Sequence, residues 1–246
     1  MNHIHTVTFD FWETLVTDSL ENLRAQRELR IQALHRALRR MGAPLTESET
    51  AEAHDRSGEV LKERFWSRHR DPSREEQLRL VLDCAVPGVA ERMPRPLLDE
   101  TLEAYISPVL VHAPTLTPGA AEAIRGLAAR GVTLGIISNT GRTPGIILRK
   151  VLERHDLLRH FAVVSYSDEV GYRKPDPEIF RRTLTGAGTP AGQAAHVGDN
   201  PLDDVSGAQG AGMRGVHYAA AGRSPAAHAD LAVGDLGELP AMLERL

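Results

Sequence analysis

Apolar residues gather into short runs that read as buried strands: Ile4–Phe9, Val132–Ile137, Phe161–Val164 and Ala194–Val197. Gly215–Tyr218 follows as a fifth, and Ala229–Val233 as a weaker sixth. Helical patterns separate them. Ala120–Ala129 follows Thr117-Pro118-Gly119 and stops before Gly131; Pro144–Arg154, Pro177–Thr185 and Asp203–Ala211 are the others. Strands alternating with helices at this spacing predict an α/β fold, a doubly wound, mostly parallel Rossmann-like sheet with helices on both faces.

The stretch from Asp18 to His112 breaks the alternation and reads as helices only. Asp18 or Ser19 caps a first helix running to Arg40, which Gly42 and Pro44 end. Thr46 with Glu49, and Ser73 with Glu76, have capping-box spacing ahead of two further helices; a fourth spans Leu97–Ile106. This predicts two units: a core from residues 1–17 and 113–246, and an inserted α-helical cap domain over 18–112. The Ala-rich Ala219–Ala227 reads as a loop.

Composition narrows the partners. With 246 residues, 41% hydrophobic, 25% charged and a net charge of -4, the chain has an ordinary globular balance and no basic surplus. Nucleic acid and anionic membranes are therefore not expected as partners. No apolar run is long enough to span a bilayer, and Met1–Phe11 lacks a signal-peptide pattern. The single Cys84 precludes an internal disulfide, so the cytosol is the expected, cytoplasmic location. Of the 29 basic residues only Lys62, Lys150 and Lys174 are lysine, which makes each one a position to examine.

Three apolar runs end directly in polar residues: Asp10, then Ser138-Asn139-Thr140, then Gly198-Asp199. The run Phe161–Val164 leads through a loop to Arg173-Lys174-Pro175. Open parallel sheets bind ligands beyond the carboxyl ends of their strands, so these groups converge on one crevice. Any one of them alone reads as a strand-terminating turn residue; the four together do not. Two carboxylates in a cleft repel one another unless a cation lies between them, and hard oxygen donors suit Mg²⁺. Asp10 then has an oxygen free to attack phosphorus as a covalent nucleophile. Ser138 and nearby backbone N–H groups hold the phosphoryl oxygens, and Lys174 neutralises charge.

The same segments resemble, in order and spacing, the motifs of the haloacid dehalogenase-like hydrolase superfamily. Asp10-Phe11-Trp12-Glu13-Thr14 is similar to its nucleophile motif, Ser138-Asn139-Thr140 to its second and Lys174 to its third. Gly198-Asp199, continuing to Asp203-Asp204, is similar to its fourth. The resemblance implies a Mg²⁺-dependent phosphomonoester phosphatase with a helical cap, acting on a small-molecule phosphorylated substrate. It implies Asp10 as nucleophile and Mg²⁺ on Asp10, the Trp12 carbonyl, Asp199 and Asp204. Asp203 fits an outward helix face better. His196 reads as a packed strand residue, and the His3/His5 pair as bland.

One position departs from the pattern. Phosphatases of this family carry a second Asp two places after the nucleophile, and here that place is Trp12. General acid–base help is worth roughly 10²–10⁴-fold. Three readings follow: a phosphatase without that acid, a metal-free hydrolytic dehalogenase, whose branch carries an aromatic there, or a phosphate-ligand binding protein. The intact Gly198-Asp199 pair favours phosphate chemistry. Asn139, Thr140, Arg142 and Trp12 are the candidate substrate contacts, with Arg24, Arg27 and Arg30 of the first cap helix as further cations and Lys62 as the only cap lysine.

Overall fold

A computed structural model of the chain describes residues 4–246. The chain enters through β1 (Thr6–Phe9), turns into a two-residue strand β2 (Val16–Thr17), and then forms only helices. These are α1 (Leu20–Arg40), α2 (Glu47–Arg64), α3 (Arg74–Ala85), the short α4 (Val89–Arg92) and α5 (Arg95–Ile106). A second two-residue strand, β3 (Thr115–Leu116), pairs antiparallel with β2 and closes the base of this helical segment. The alternating part follows: α6 (Ala120–Ala129), β4 (Thr133–Ser138), α7 (Gly145–Arg154), β5 (Phe161–Tyr166), a single turn α8 (Ser167–Val170) and α9 (Pro177–Ala187). Then come β6 (Ala194–Gly198), a wide helical turn over Pro201–Ser206 running into α10 (Gly207–Gly210), β7 (Arg214–Tyr218), β8 (Leu231–Val233) and α11 (Leu239–Met242).

The main sheet is parallel throughout, in the order β5-β4-β1-β6-β7-β8. The chain builds outward from β1 on one side through β4 and β5, then returns to build β6, β7 and β8 on the other. The strand order therefore reverses beside β1, which places the ligand crevice of such a sheet at the ends of β1, β4 and β6. All four residues of β1 are buried, as befits a central strand covered on both faces. The core joins sheet and helical segment: Phe9, Phe11 and Leu15 pack in one cluster with Leu34, Leu78, Leu98 and Tyr105.

Most expected elements are present, with instructive differences. Both capping boxes form: Thr46 and Ser73 each accept from the backbone N–H three residues on, while Glu49 and Glu76 reach back. The helix expected over Asp203–Ala211 starts earlier and is split. Asn200 Oδ1 accepts from the N–H groups of Leu202 and Asp203, and Pro201 begins the turn. The weak run Ala229–Val233 yields only Leu231–Val233 as strand. β2, β3 and α4 were not expected, being too short to carry a hydrophobic period. Among the described residues no helix is long and apolar enough to cross a membrane.

Candidate active site

Asp10 follows β1 directly, and its N–H still pairs with Val197 O on β6 at 2.9 Å, so its side chain leaves the sheet at the central strand end. Its Oδ1 accepts from the Phe11 N–H at 2.7 Å and from Lys174 Nζ at 2.8 Å. The Lys174 ammonium also contacts Asp204 Oδ1 at 2.6 Å and donates to the Ile137 carbonyl at 2.8 Å. Lys174 is thus buried between two carboxylates with all three donors used, the condition under which a buried ammonium is tolerated. Lys62 and Lys150 are exposed, the setting of solvated helix lysines.

Burial pushes the Asp10 carboxyl up to about 7 against the pull of Lys174, and the Asp204 charge adds to the rise. Burial opposes ionisation of Asp204 too, but the Lys174 ammonium and the His196 hydrogen bond hold it below the usual carboxylate range. Burial likewise works against the Lys174 charge, yet the two carboxylates keep its pKa above the ordinary lysine value.

Asp199 completes the group at the end of β6. Asp10, Asp199 and Asp204 each offer an oxygen, and these atoms lie within 4.8 Å of one another. One lysine does not balance three carboxylates; a second positive charge, Arg223 on Asp199 Oδ2 at 2.7 Å, still leaves one negative charge in excess. Oxygen donors, crowded negative charge and a raised Asp10 pKa suit a hard divalent cation. Asp204 belongs to this trio. Asp203 is half-buried rather than fully outward, its Oδ2 lying 3.4 Å from Asn139 Nδ2. Of the His3/His5 pair, His5 is exposed and His3 lies outside the described residues.

Several expected substrate contacts are occupied by structural work. Asn139 Oδ1 accepts the Lys174 N–H at 2.9 Å and its Nδ2 donates to the Lys174 carbonyl at 3.2 Å, clamping the lysine loop to the end of β4. Thr140 N donates to Ser167 Oγ at 2.9 Å. Arg142 points into the helical segment, donating to Tyr105 Oη at 2.7 Å and to the His54 carbonyl and Ser57 Oγ at 3.0 Å each. Arg27 is paired with Asp55, Arg24 is exposed, and Arg30 is buried against Thr143 Oγ1 at 2.9 Å. Ser138 Oγ, by contrast, is buried without a hydrogen-bond partner among the described residues, as is Thr14 Oγ1. The Ser138 hydroxyl faces Asp10 closely enough to favour its charged form, and it can donate to a ligand oxygen bound there. Trp12 is half-buried, edge-on to Phe11 with ring centroids 5.0 Å apart.

Other contributors carried little sequence signal. His196 is a packed strand residue, edge-on to Phe180, but it also bridges Asp204 Oδ1 (3.2 Å, from Nε2) and Thr8 Oγ1 (2.8 Å, at Nδ1). Burial pushes its pKa down to about 4, so the neutral ring with Nε2–H aims Asp204. His217 Nε2 donates to the Asp199 carbonyl at 3.1 Å in the same supporting manner. Only the register of β6 on β7, Gly198 opposite His217, brings that histidine there.

Comparison with known proteins points to one family. Residues 4–212 match the family model described as haloacid dehalogenase-like hydrolase. A phosphoserine phosphatase of Thermus thermophilus is 40% identical over 128 residues, covering 50% of this chain and 49% of that protein. The chain thus spans about half the length of that relative. A phosphoglycolate phosphatase of Salmonella typhimurium is 29% identical over 223 residues, 88% of this chain and 81% of the relative. A crystal structure of a 2-haloacid dehalogenase from Pseudomonas syringae pv. Tomato superposes with a TM-score of 0.68 at 28% identity, covering 98% of this chain and 99% of that one.

Proposed function

Because this chain belongs to the haloacid dehalogenase-like hydrolases, we propose that it is a Mg²⁺-dependent phosphomonoester phosphatase that works through an aspartyl-phosphate on Asp10. The observation that carries this reading is the acid trio Asp10, Asp199 and Asp204, joined by Lys174, at the ends of β1 and β6. Asp10, Asp199, Asp204 and the Trp12 carbonyl are the groups that would hold Mg²⁺, which when bound offsets charge on the substrate phosphoryl group.

The chain's own residues do the rest. Lys174 and the Phe11 N–H engage Asp10 Oδ1, which leaves Oδ2 to attack phosphorus. The new O–P bond forms as the bond to the leaving alcohol breaks. Ser138 Oγ donates to a phosphoryl oxygen, and a later attack by water on phosphorus releases phosphate and regenerates Asp10. No carboxyl stands at position 12 to protonate the leaving group, so it departs as alkoxide and takes its proton from water. Esters with good leaving groups are therefore favoured. The helices α1–α5 act as a cap that covers the reacting groups.

A dehalogenase reading also has support, in the likeness to the Pseudomonas structure and in the aromatic Trp12. The acid trio weighs against it, because displacing halide from carbon needs no metal. Phosphate release from a panel including phosphoserine, 2-phosphoglycolate and p-nitrophenyl phosphate, with Mg²⁺ or with EDTA, separates the two. The expected result is Mg²⁺-dependent release that Asp10→Asn lowers by about 10⁴-fold or more. Halide release from 2-haloacids in EDTA, with no phosphate released from any ester, would overturn the proposal.

A further inference from the structure

The turn joining α2 to α3 reaches from the cap to the strand-end loops. Arg173 N donates to the His69 carbonyl at 3.0 Å, and Asp71 N to the Gly171 carbonyl at 3.3 Å. Between them Arg70 and Tyr172 form an antiparallel bridge, with the Arg70 guanidinium 4.0 Å over the tyrosine ring. His69 has a left-handed φ of 52°, a conformation that non-glycine residues seldom adopt and that is held only where the surroundings demand it.

That turn delivers one carboxylate into the seam. The Asp71 side chain is fully buried. Its Oδ2 accepts from Arg173 Nη1 at 2.8 Å and from Ser167 Oγ at 2.5 Å, with Thr140 Oγ1 3.5 Å away. Its Oδ1 accepts from Trp66 Nε1 at 2.9 Å, and the Arg173 guanidinium lies 4.8 Å over the Trp66 ring. Thr140 stands two residues after Ser138, and Arg173 immediately before Lys174. The cap therefore touches, through one carboxylate, both loops that carry the reacting groups.

We infer that Asp71 is a positioning residue: docking of the cap through Asp71 sets the Thr140 and Arg173 loops, and so places Ser138 and Lys174 for the reaction. A buried carboxylate needs its partners, so the three bonds across the seam form and break together with cap docking. Asn139 already ties the two loops to each other through Lys174; Asp71 ties both to the cap. This deepens the phosphatase reading and rests on it for its kinetic consequence.

The test joins kinetics to amide hydrogen exchange. Asp71→Asn keeps the shape and loses the charge opposite Arg173. Misplacing reacting groups by a small distance costs turnover, so kcat on p-nitrophenyl phosphate is expected to fall roughly 10–100-fold while KM stays within about threefold. Exchange should rise in the Thr140 and Arg173 loops and stay unchanged in β1 and β6, and Asp71→Glu should recover part of the lost kcat. Unchanged kcat with unchanged loop exchange overturns the inference. So does a rise in exchange spread evenly through β1 and β6, which marks a structural role only. Should the wild type release no phosphate from any ester, the phosphatase reading fails. Loop exchange then decides this inference alone: local loosening in Asp71→Asn supports it, and unchanged exchange overturns it.

Discussion

At the scale of single residues the molecule is defined by what stands at position 12. On the proposed phosphatase reading, Trp12 stands where a carboxyl would protonate the leaving alcohol, and its indole, edge-on to Phe11, has no comparable proton to give. Asp10 with its Lys174 partner, and the buried Ser138 hydroxyl, nevertheless meet at the same strand ends. Trp12→Asp is therefore expected to raise kcat by about 10-fold or more, within the 10²–10⁴-fold range of general acid–base help. The gain should be larger for alkyl phosphates than for p-nitrophenyl phosphate, whose leaving group needs no proton. A comparison of kcat on the two ester types checks this, and a loss on both would mean that Trp12 contributes to substrate binding.

At the scale of elements, the strand ends and the turns after them decide which side chains meet. The turn after β6 brings Asp204 back over the end of its own strand, so close that a Cβ on Gly198 would overlap the Asp204 carboxylate. Gly198→Ala is expected to cost about 1–3 kcal/mol of stability and to displace Asp204 from Lys174. Thermal unfolding and Mg²⁺-dependent turnover should both fall. In Gly210→Ala, where the added Cβ meets nothing within 4 Å, both should stay near wild type. The two capping boxes of α2 and α3 were legible because their bonds run between neighbours in the chain. The split helix after Asn200 was not, because its early start depends on the side chain of Asn200 folding over the following amides.

At the scale of the whole molecule, the helical segment α1–α5 and the sheet share a polar seam as well as an apolar core. Arg30 of α1 and Arg142 of the loop after β4 lie near His54, and Tyr105 Oη accepts from the Arg142 guanidinium. Burial, with Arg142 and Arg30 adding to it against Asp55, pushes His54 down from the ordinary 6.5 to about 4. Between pH 6.5 and 4 the unfolded chain thus binds more protons at this site than the folded one. The contribution is fully present above pH 6.5 and is lost as pH falls through that window. Asp168, pushed up to about 6 chiefly by burial, acts with the opposite sign between 3.8 and 6, so comparison of variants is needed. His54→Asn, which retains a donor toward Asp55, should flatten the acid limb of the stability profile by roughly 1–3 kcal/mol. Denaturant midpoints at pH 7 and pH 4.5 measure it, and parallel profiles for the two proteins would refute it.

The amino-acid sequence by itself determined the strand runs, the helical break after β1, the capping boxes and the polar residues at the strand ends. These are local features, written in periodicity and in neighbours along the chain. It also marked Trp12 as the departure and Lys174 as one of three lysines. Only the tertiary structure decided the rest. It turned Arg142 away into the helical segment and made Asn139 a clamp on the lysine loop. It set His196 and His217 behind the acids, and it buried Asp71 against the Thr140 and Arg173 loops. Those roles depend on which strands lie side by side and where a distant turn lands. A side chain's partner across such a seam is fixed by packing between elements far apart in sequence, and no local pattern records it.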